Sequence, residues 1–102
     1  LGSKNAEATQ LVESAAVRVP NDTNILFGLA ELYRLDQRTD DAVAVLKRVV
    51  SLFPGHSDAH YRLGQIYEDR KDAANALAEY QIVLQLNPTN TDIKKKVDEL
   101  KK

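Results

Sequence analysis

The stretch LGQIY, Leu63 to Tyr67, has a counterpart in LAELY, Leu29 to Tyr33, with the same order of apolar, small and aromatic residues 34 positions earlier. Pro20, Pro54 and Pro88 keep that interval, as do Thr23, Ser57 and Thr91, which follow each proline by three residues. A period of this length marks a repeat in which one supersecondary unit is stacked on its neighbours. The hydroxyl residues stand where a side-chain oxygen is expected to cap a helix, and each proline closes the unit before it.

Inside a unit the apolar residues recur at three and four. Leu26, Leu29, Ala30 and Tyr33 are followed by a polar break and then Ala42, Leu46, Val49 and Val50. Leu63, Gly64 and Tyr67, the polar EDRKD from Glu68 to Asp72, and Ala76, Tyr80, Val83 and Leu84 repeat the design. This is helical spacing, so each unit is expected to be a helical hairpin with its turn in the polar segment. Ala30, Gly64, Ala42 and Ala76 are expected where the two helices cross, because a missing side chain lets backbones approach. Tyr33 and Tyr67 are expected to carry their rings into the core.

The positions His60, Leu63, Gly64, Tyr67, Ala76, Tyr80, Pro88, matched by Leu26, Leu29, Ala30, Tyr33, Ala42, Leu46, Pro54, resemble the tetratricopeptide repeat pattern. Ala8, Val12, Ala15 and Pro20 fit the second half of an earlier copy. The resemblance implies an all-α fold of about six helices. Its antiparallel helical hairpins would stack as a right-handed superhelix. The expected organisation is one domain over residues 6–102: a second helix of a partial repeat (6–22), two repeats (23–56 and 57–90) and a capping helix (91–102). Residues 1–5 are expected to be a tail or cloning remnant, since the chain contains no Met and opens on LGS. In DIKKKVDELKK, Lys94, Asp98 and Lys101 replace the apolar, small and aromatic residues of the earlier copies, leaving only Ile93, Val97 and Leu100 as a stripe. One apolar and one wet face suit a helix that ends an array.

Composition excludes several function classes. With 102 residues, 43% apolar and 28% charged, the chain reads as one globular domain. Its 14 basic and 15 acidic side chains give a net charge of −1, so nothing favours nucleic acid. No apolar run approaches the roughly 18 residues needed to span a bilayer, and no membrane insertion is expected. The chain as given reads as soluble, with cytoplasm and periplasm both open. Cysteine is absent, which removes thiolate ligands and nucleophiles.

The segment HSDAH, with His56, Asp58 and His60, has the look of half a zinc motif. Metal ligation is not expected, because His56 precedes the expected cap at Ser57 or Asp58 and lies off the helical face of His60. Ser3, Ser14, Ser51 and Ser57 lack any strained turn or recognisable base, and Asp40 with Asp41 reads as a first helical turn favoured by the dipole. No catalysis and no cofactor are expected.

The family resemblance instead implies a concave groove, lined by the first helix of each hairpin, that holds a protein or peptide segment. Transferred position by position, the groove residues are Asn24, Phe27, Glu31, Arg34 and Leu35, then Asp58, Tyr61, Gln65, Glu68 and Asp69, with Arg62 at the edge. Phe27 and Tyr61 share the 34-residue phase and would stand side by side, either as anchors for a ligand or packed against the next hairpin. Some family members clamp a terminal carboxylate with Lys-x3-Asn and Lys-x3-Arg pairs. Here Phe27 with Glu31, Tyr61 with Gln65 and Lys95 with Glu99 stand instead, so a groove for apolar anchors and basic residues is expected. The competing function is structural, a spacer or self-assembly element. Ala8, Leu11, Val12 and Ala15 form an apolar stripe on the first helix from which weak self-association is expected.

Overall fold

The computed structural model describes residues 2–102, with side chains from residue 7 onward. Among them run six helices: α1 (Gly2–Arg18), α2 (Thr23–Leu35), α3 (Thr39–Leu52), α4 (Ser57–Asp69), α5 (Ala73–Leu86) and α6 (Thr91–Lys101). Helix α1 opens ahead of residue 6, while the expected tail falls partly on Leu1, outside the described residues. The chain forms two compact units, one ending at Pro54 with α1 to α3, the other starting at Gly55 with α4 to α6. In the first, α2 packs against both α1 and α3; in the second, α5 packs against both α4 and α6.

The three and four spacing of apolar residues becomes the buried face of each helix. Leu26, Leu29, Ala30 and Tyr33 of α2 are buried with Ala42, Leu46 and Val49 of α3. In the second unit Ala76, Tyr80, Val83, Ile93 and Val97 form one cluster, on which Tyr61, Tyr67, Leu77, Leu84 and Leu100 rest partly buried. Tyr67 is therefore shallower than Tyr33, and Val50 likewise keeps some exposure. On α6 Lys94, Asp98 and Lys101 are solvated while Ile93 and Val97 are buried, so this helix has one apolar and one wet face.

Helix starts correct the sequence expectation. Thr23, Ser57 and Thr91 are the first helical residues, and the caps lie one position earlier at Asp22, His56 and Asn90. Asp22 Oδ1 accepts from the Asn24 and Ile25 amides at 3.0 and 3.2 Å, His56 Nδ1 from Ala59 N at 3.1 Å, and Asn90 Oδ1 from Ile93 N at 3.1 Å. A cap must leave helical geometry so that its side chain can reach back to amides two or three residues on. With ψ of 105°, 88° and 97°, these three residues do so.

The polar break EDRKD is also shorter as a turn than expected, because α4 continues through Asp69. Both hairpins close identically. Gln37 and Lys71 take left-handed φ of 61° and 62°. The amide of Arg38 bonds back to Tyr33 O at 2.8 Å, and that of Asp72 to Tyr67 O at 2.9 Å. One left-handed residue followed by a six-residue closure satisfies the last carbonyls of the first helix and reverses the chain.

Two tyrosine hydroxyls are tied to carboxylates inside the helix packing. Tyr33 Oη donates to Glu13 Oε2 of α1, and Tyr80 Oη donates to Glu68 Oε1 of α4, each at 2.5 Å. Burial, then the Glu13 bond, pushes Tyr33 up to about 12, and the same two causes, with Glu68 as partner, raise Tyr80. Glu68 is held below its usual range, first by the Tyr80 hydroxyl and also by Lys96, against the opposing effect of burial. A phenol whose pKa rises on folding contributes stability that is intact below about pH 10 and is lost as pH rises through its folded value. A depressed carboxyl contributes above about pH 4 and is lost as pH falls through its folded value. Urea unfolding followed by circular dichroism should give a flat midpoint from about pH 6 to 9 and a decline between about pH 10 and 12. Tyr33→Phe should reduce the alkaline decline; an equal decline in that variant would show that its hydroxyl is not responsible.

Candidate functional site

On α2 the groove candidates divide by exposure. Asn24 is exposed at the first turn, Phe27 is half-buried, and Leu35 at the helix end is 62% exposed. Glu31 and Arg34, one turn apart, form an ion pair at 3.4 Å. This face thus presents an aromatic ring, a neutral ion pair and an exposed leucine along one helix.

On α4 three of the candidates are wired together. Gln65 Nε2 donates to Tyr61 Oη at 3.1 Å, Arg62 Nη1 donates to Gln65 Oε1 at 2.7 Å, and the Arg62 guanidinium lies over the Tyr61 ring, 5.8 Å from its centroid. Tyr80 packs against the same ring, with centroids 5.9 Å apart and planes tilted by 50°. A ring held by a neighbouring aromatic, an amide that donates to its hydroxyl, and a cation loses little freedom when a ligand covers it. Of the two alternatives stated from sequence, the packing is seen: Tyr61 is half-buried against its own unit's core.

Glu68 has a structural task. Besides accepting from Tyr80, it takes Lys96 Nζ at 3.3 Å, so α4, α5 and α6 meet at one carboxylate. Asp69 is exposed at the end of α4, and Asp58 is exposed in its first turn.

A shallow cleft joins the starts of α4 and α6. Ser57, Asp58 and Tyr61 line it from α4, Asn90, Asp92 and Ile93 from the start of α6, and Val83 from α5. Asp58 and Tyr61 were expected at a binding surface. Ser57, Asn90 and Asp92 were not, although Asp92 stands 34 residues after Asp58 and the same interval separates Asn90 from His56.

His60, the second histidine of HSDAH, is buried, with Nδ1 2.8 Å from Glu79 Oε1, whereas His56 caps α4. Among the described residues no group of three His, Asp or Glu side chains is placed to hold a metal ion. No described helix is long and apolar enough to cross a membrane.

The tetratricopeptide repeat family model matches residues 2–57 and again 36–91. The chain is 30% identical over 100 residues to anaphase-promoting complex subunit 7 of Arabidopsis thaliana, covering 98% of this chain and 18% of that protein. It is 30% identical over 66 residues to human interferon-induced protein with tetratricopeptide repeats 2, covering 65% of this chain and 14% of the relative. It therefore spans less than a fifth of the length of either curated relative. Among solved structures, MamA superposes with a TM-score of 0.86 at 17% identity over 94% of this chain and 56% of MamA. The first tetratricopeptide domain of Spaghetti (RPAP3), bound to the HSP90 peptide SRMEEVD, gives 0.84 at 19% identity over 97% and 79%. The Yersinia enterocolitica type III secretion chaperone SycD, in complex with a peptide of the translocator YopD, gives 0.85 at 12% identity over 97% and 81%. At these identities the structural likeness concerns the fold. With a family model matched twice across most of its length, this chain belongs to the tetratricopeptide repeat family.

Proposed function

We propose that this chain is a non-catalytic protein-interaction module that holds a peptide segment of a partner against the first helices of its hairpins. The fold and the peptide complexes of RPAP3 and SycD support an interaction role. The observation that carries the reading is the Tyr61 assembly, an aromatic edge pre-set by Tyr80, Gln65 and Arg62 beside an open cleft. Asn24, Phe27, Glu31, Arg34 and Leu35 on α2 serve in the first unit. On α4 Asp58, Tyr61, Arg62, Gln65 and Asp69 serve in the second, with Glu68 bracing the helices behind them.

Aromatic anchors at interfaces typically lose about 2 kcal/mol of binding when truncated, which is roughly thirtyfold in affinity. Heptapeptides selected from a random displayed library on the immobilised chain provide the ligand. Tyr61→Ala should weaken the selected peptides by about that factor, while Lys47→Ala on exposed α3 surface leaves binding unchanged. Equal binding by folded Tyr61→Ala and wild type would remove the groove from consideration.

Assembly is the second reading, favoured by one observation: Leu11 and Val17 of α1 are 73% and 81% exposed. Sedimentation of the unliganded chain should then show weak association that rises with concentration and is lost in Leu11→Ser. A strict monomer at millimolar concentration would end that reading.

A further inference from the structure

We infer that the cleft between the starts of α4 and α6 is a pocket for a lysine or arginine side chain of the bound peptide. The inference rests on the peptide-binding reading above and adds the chemistry of the residue recognised.

The cleft is apolar below and acidic at the rim. Val83 and Ile93 at its base are each 3% exposed, and Tyr61 forms a wall. Asp58 and Asp92 stand at the rim, both exposed, and neither forms an ion pair among the described residues. A long cationic side chain has matching halves, an aliphatic stem for the apolar base and a charged head for the rim.

Charge complementarity decides between a cation and an anion. Each helix N-terminus contributes about half a positive unit charge, and both α4 and α6 begin here, which alone would favour an anion. Two carboxylates outweigh the two half-charges and leave about one negative charge, the complement of a single basic side chain. Of the nearby cations, Arg62 is bonded to Gln65, Lys96 is held by Glu68, and Lys95, exposed one turn after Asp92, does not line the cleft; nor do the other two. First-turn aspartates also stabilise their own helices, but that task does not require both to face one cleft. The residues 34 apart at this position are Asn24, Asp58 and Asp92, so the doubled acid belongs to this pair of helices.

The same displayed heptapeptide library, selected on the 102-residue chain, tests the inference. Selected peptides should share a lysine or arginine at one position. Replacing it with norleucine or citrulline should weaken binding at least about tenfold, as should the isosteric double variant Asp58→Asn/Asp92→Asn, with thermal melts confirming the fold. The wild-type affinity should also fall as salt is raised from about 0.05 to 0.5 M, and that dependence should shrink in the double variant. Selected peptides that lack a basic residue, or that bind the double variant as tightly as wild type yet are lost in Tyr61→Ala, overturn the basic pocket and leave the peptide groove standing. Failure to select any peptide overturns both.

Discussion

Leu63→Ala is expected to cost about 2–5 kcal/mol of folding stability, the range for deleting a large buried aliphatic side chain. Leu63 is 1% exposed and is among the largest fully buried side chains of the chain. Its repeat equivalents, Leu29 at 5% and Val97 at 3%, are buried as well, so the position is apolar and enclosed in every copy. The cost has two parts, lost transfer from water and the cavity left where the helices cannot collapse. For a domain of this size each kcal/mol lowers the melting temperature by about 4–8 °C, so the variant should melt at least about 8 °C below wild type. Leu35→Ala, at a 62% exposed position beyond the α2 stripe, is the matched control and should change stability by under about 0.5 kcal/mol. A similarly small change for Leu63→Ala, measured by urea unfolding, would contradict the assigned repeat phase.

What sequence made legible follows from which interactions obey the repeat. Leu29 and Leu63, with Ala30 and Gly64, recur because every copy must bury the same faces, the exposed prolines recur because every copy must end its second helix, and recurrence reveals both kinds of position. The caps obey it too, at Asp22, His56 and Asn90, yet the hydroxyl series one residue later is the more familiar signal and concealed them. A histidine ring nitrogen acting as acceptor is outside the usual cap vocabulary, but the shared interval and the three acceptor side chains were readable.

The tyrosine ties were not readable, because they break the phase. Glu13 receives Tyr33, but the residues at its place in later copies are Lys47 and Gln81. Glu68 was assigned to the ligand surface by transfer from the family, and the contact that commits it to Tyr80 depends on where α5 crosses α4. Asp92 and Asn90 escaped for a related reason. The solvated face of α6 concealed its first turn, which lines the cleft together with that of α4.

The two helical glycines should respond to alanine in opposite directions. In a helix interior Gly→Ala normally gains about 1 kcal/mol from reduced backbone freedom in the unfolded chain. Nothing lies within 4 Å of a Cβ built on Gly28, so Gly28→Ala should show that gain. At Gly64 the added carbon would stand 2.6 Å from Tyr80 Cε1 and 2.8 Å from Cδ1. The ring has no easy retreat, since Tyr80 is fully buried, its hydroxyl is bonded to Glu68 and Tyr61 packs beside it. Overpacking of this kind costs about 1–3 kcal/mol, and a rigid neighbour places Gly64→Ala near about 3. The first hairpin already holds the compensated pair: Ala30 and Leu46 occupy the places of Gly64 and Tyr80. A smaller side chain across the crossing admits the methyl group that the tyrosine ring excludes. Tyr80→Leu should therefore absorb much of the Gly64→Ala penalty, with the double variant more stable than the sum of the single changes by about 1–2 kcal/mol. Tyr80→Leu also removes the hydroxyl from Glu68, which keeps Lys96 as partner, so the coupling must be taken from the full cycle of four proteins. Additive effects in that cycle, or a Gly64→Ala variant that melts as high as Gly28→Ala, would mean that the ring at position 80 is not what demands glycine at position 64.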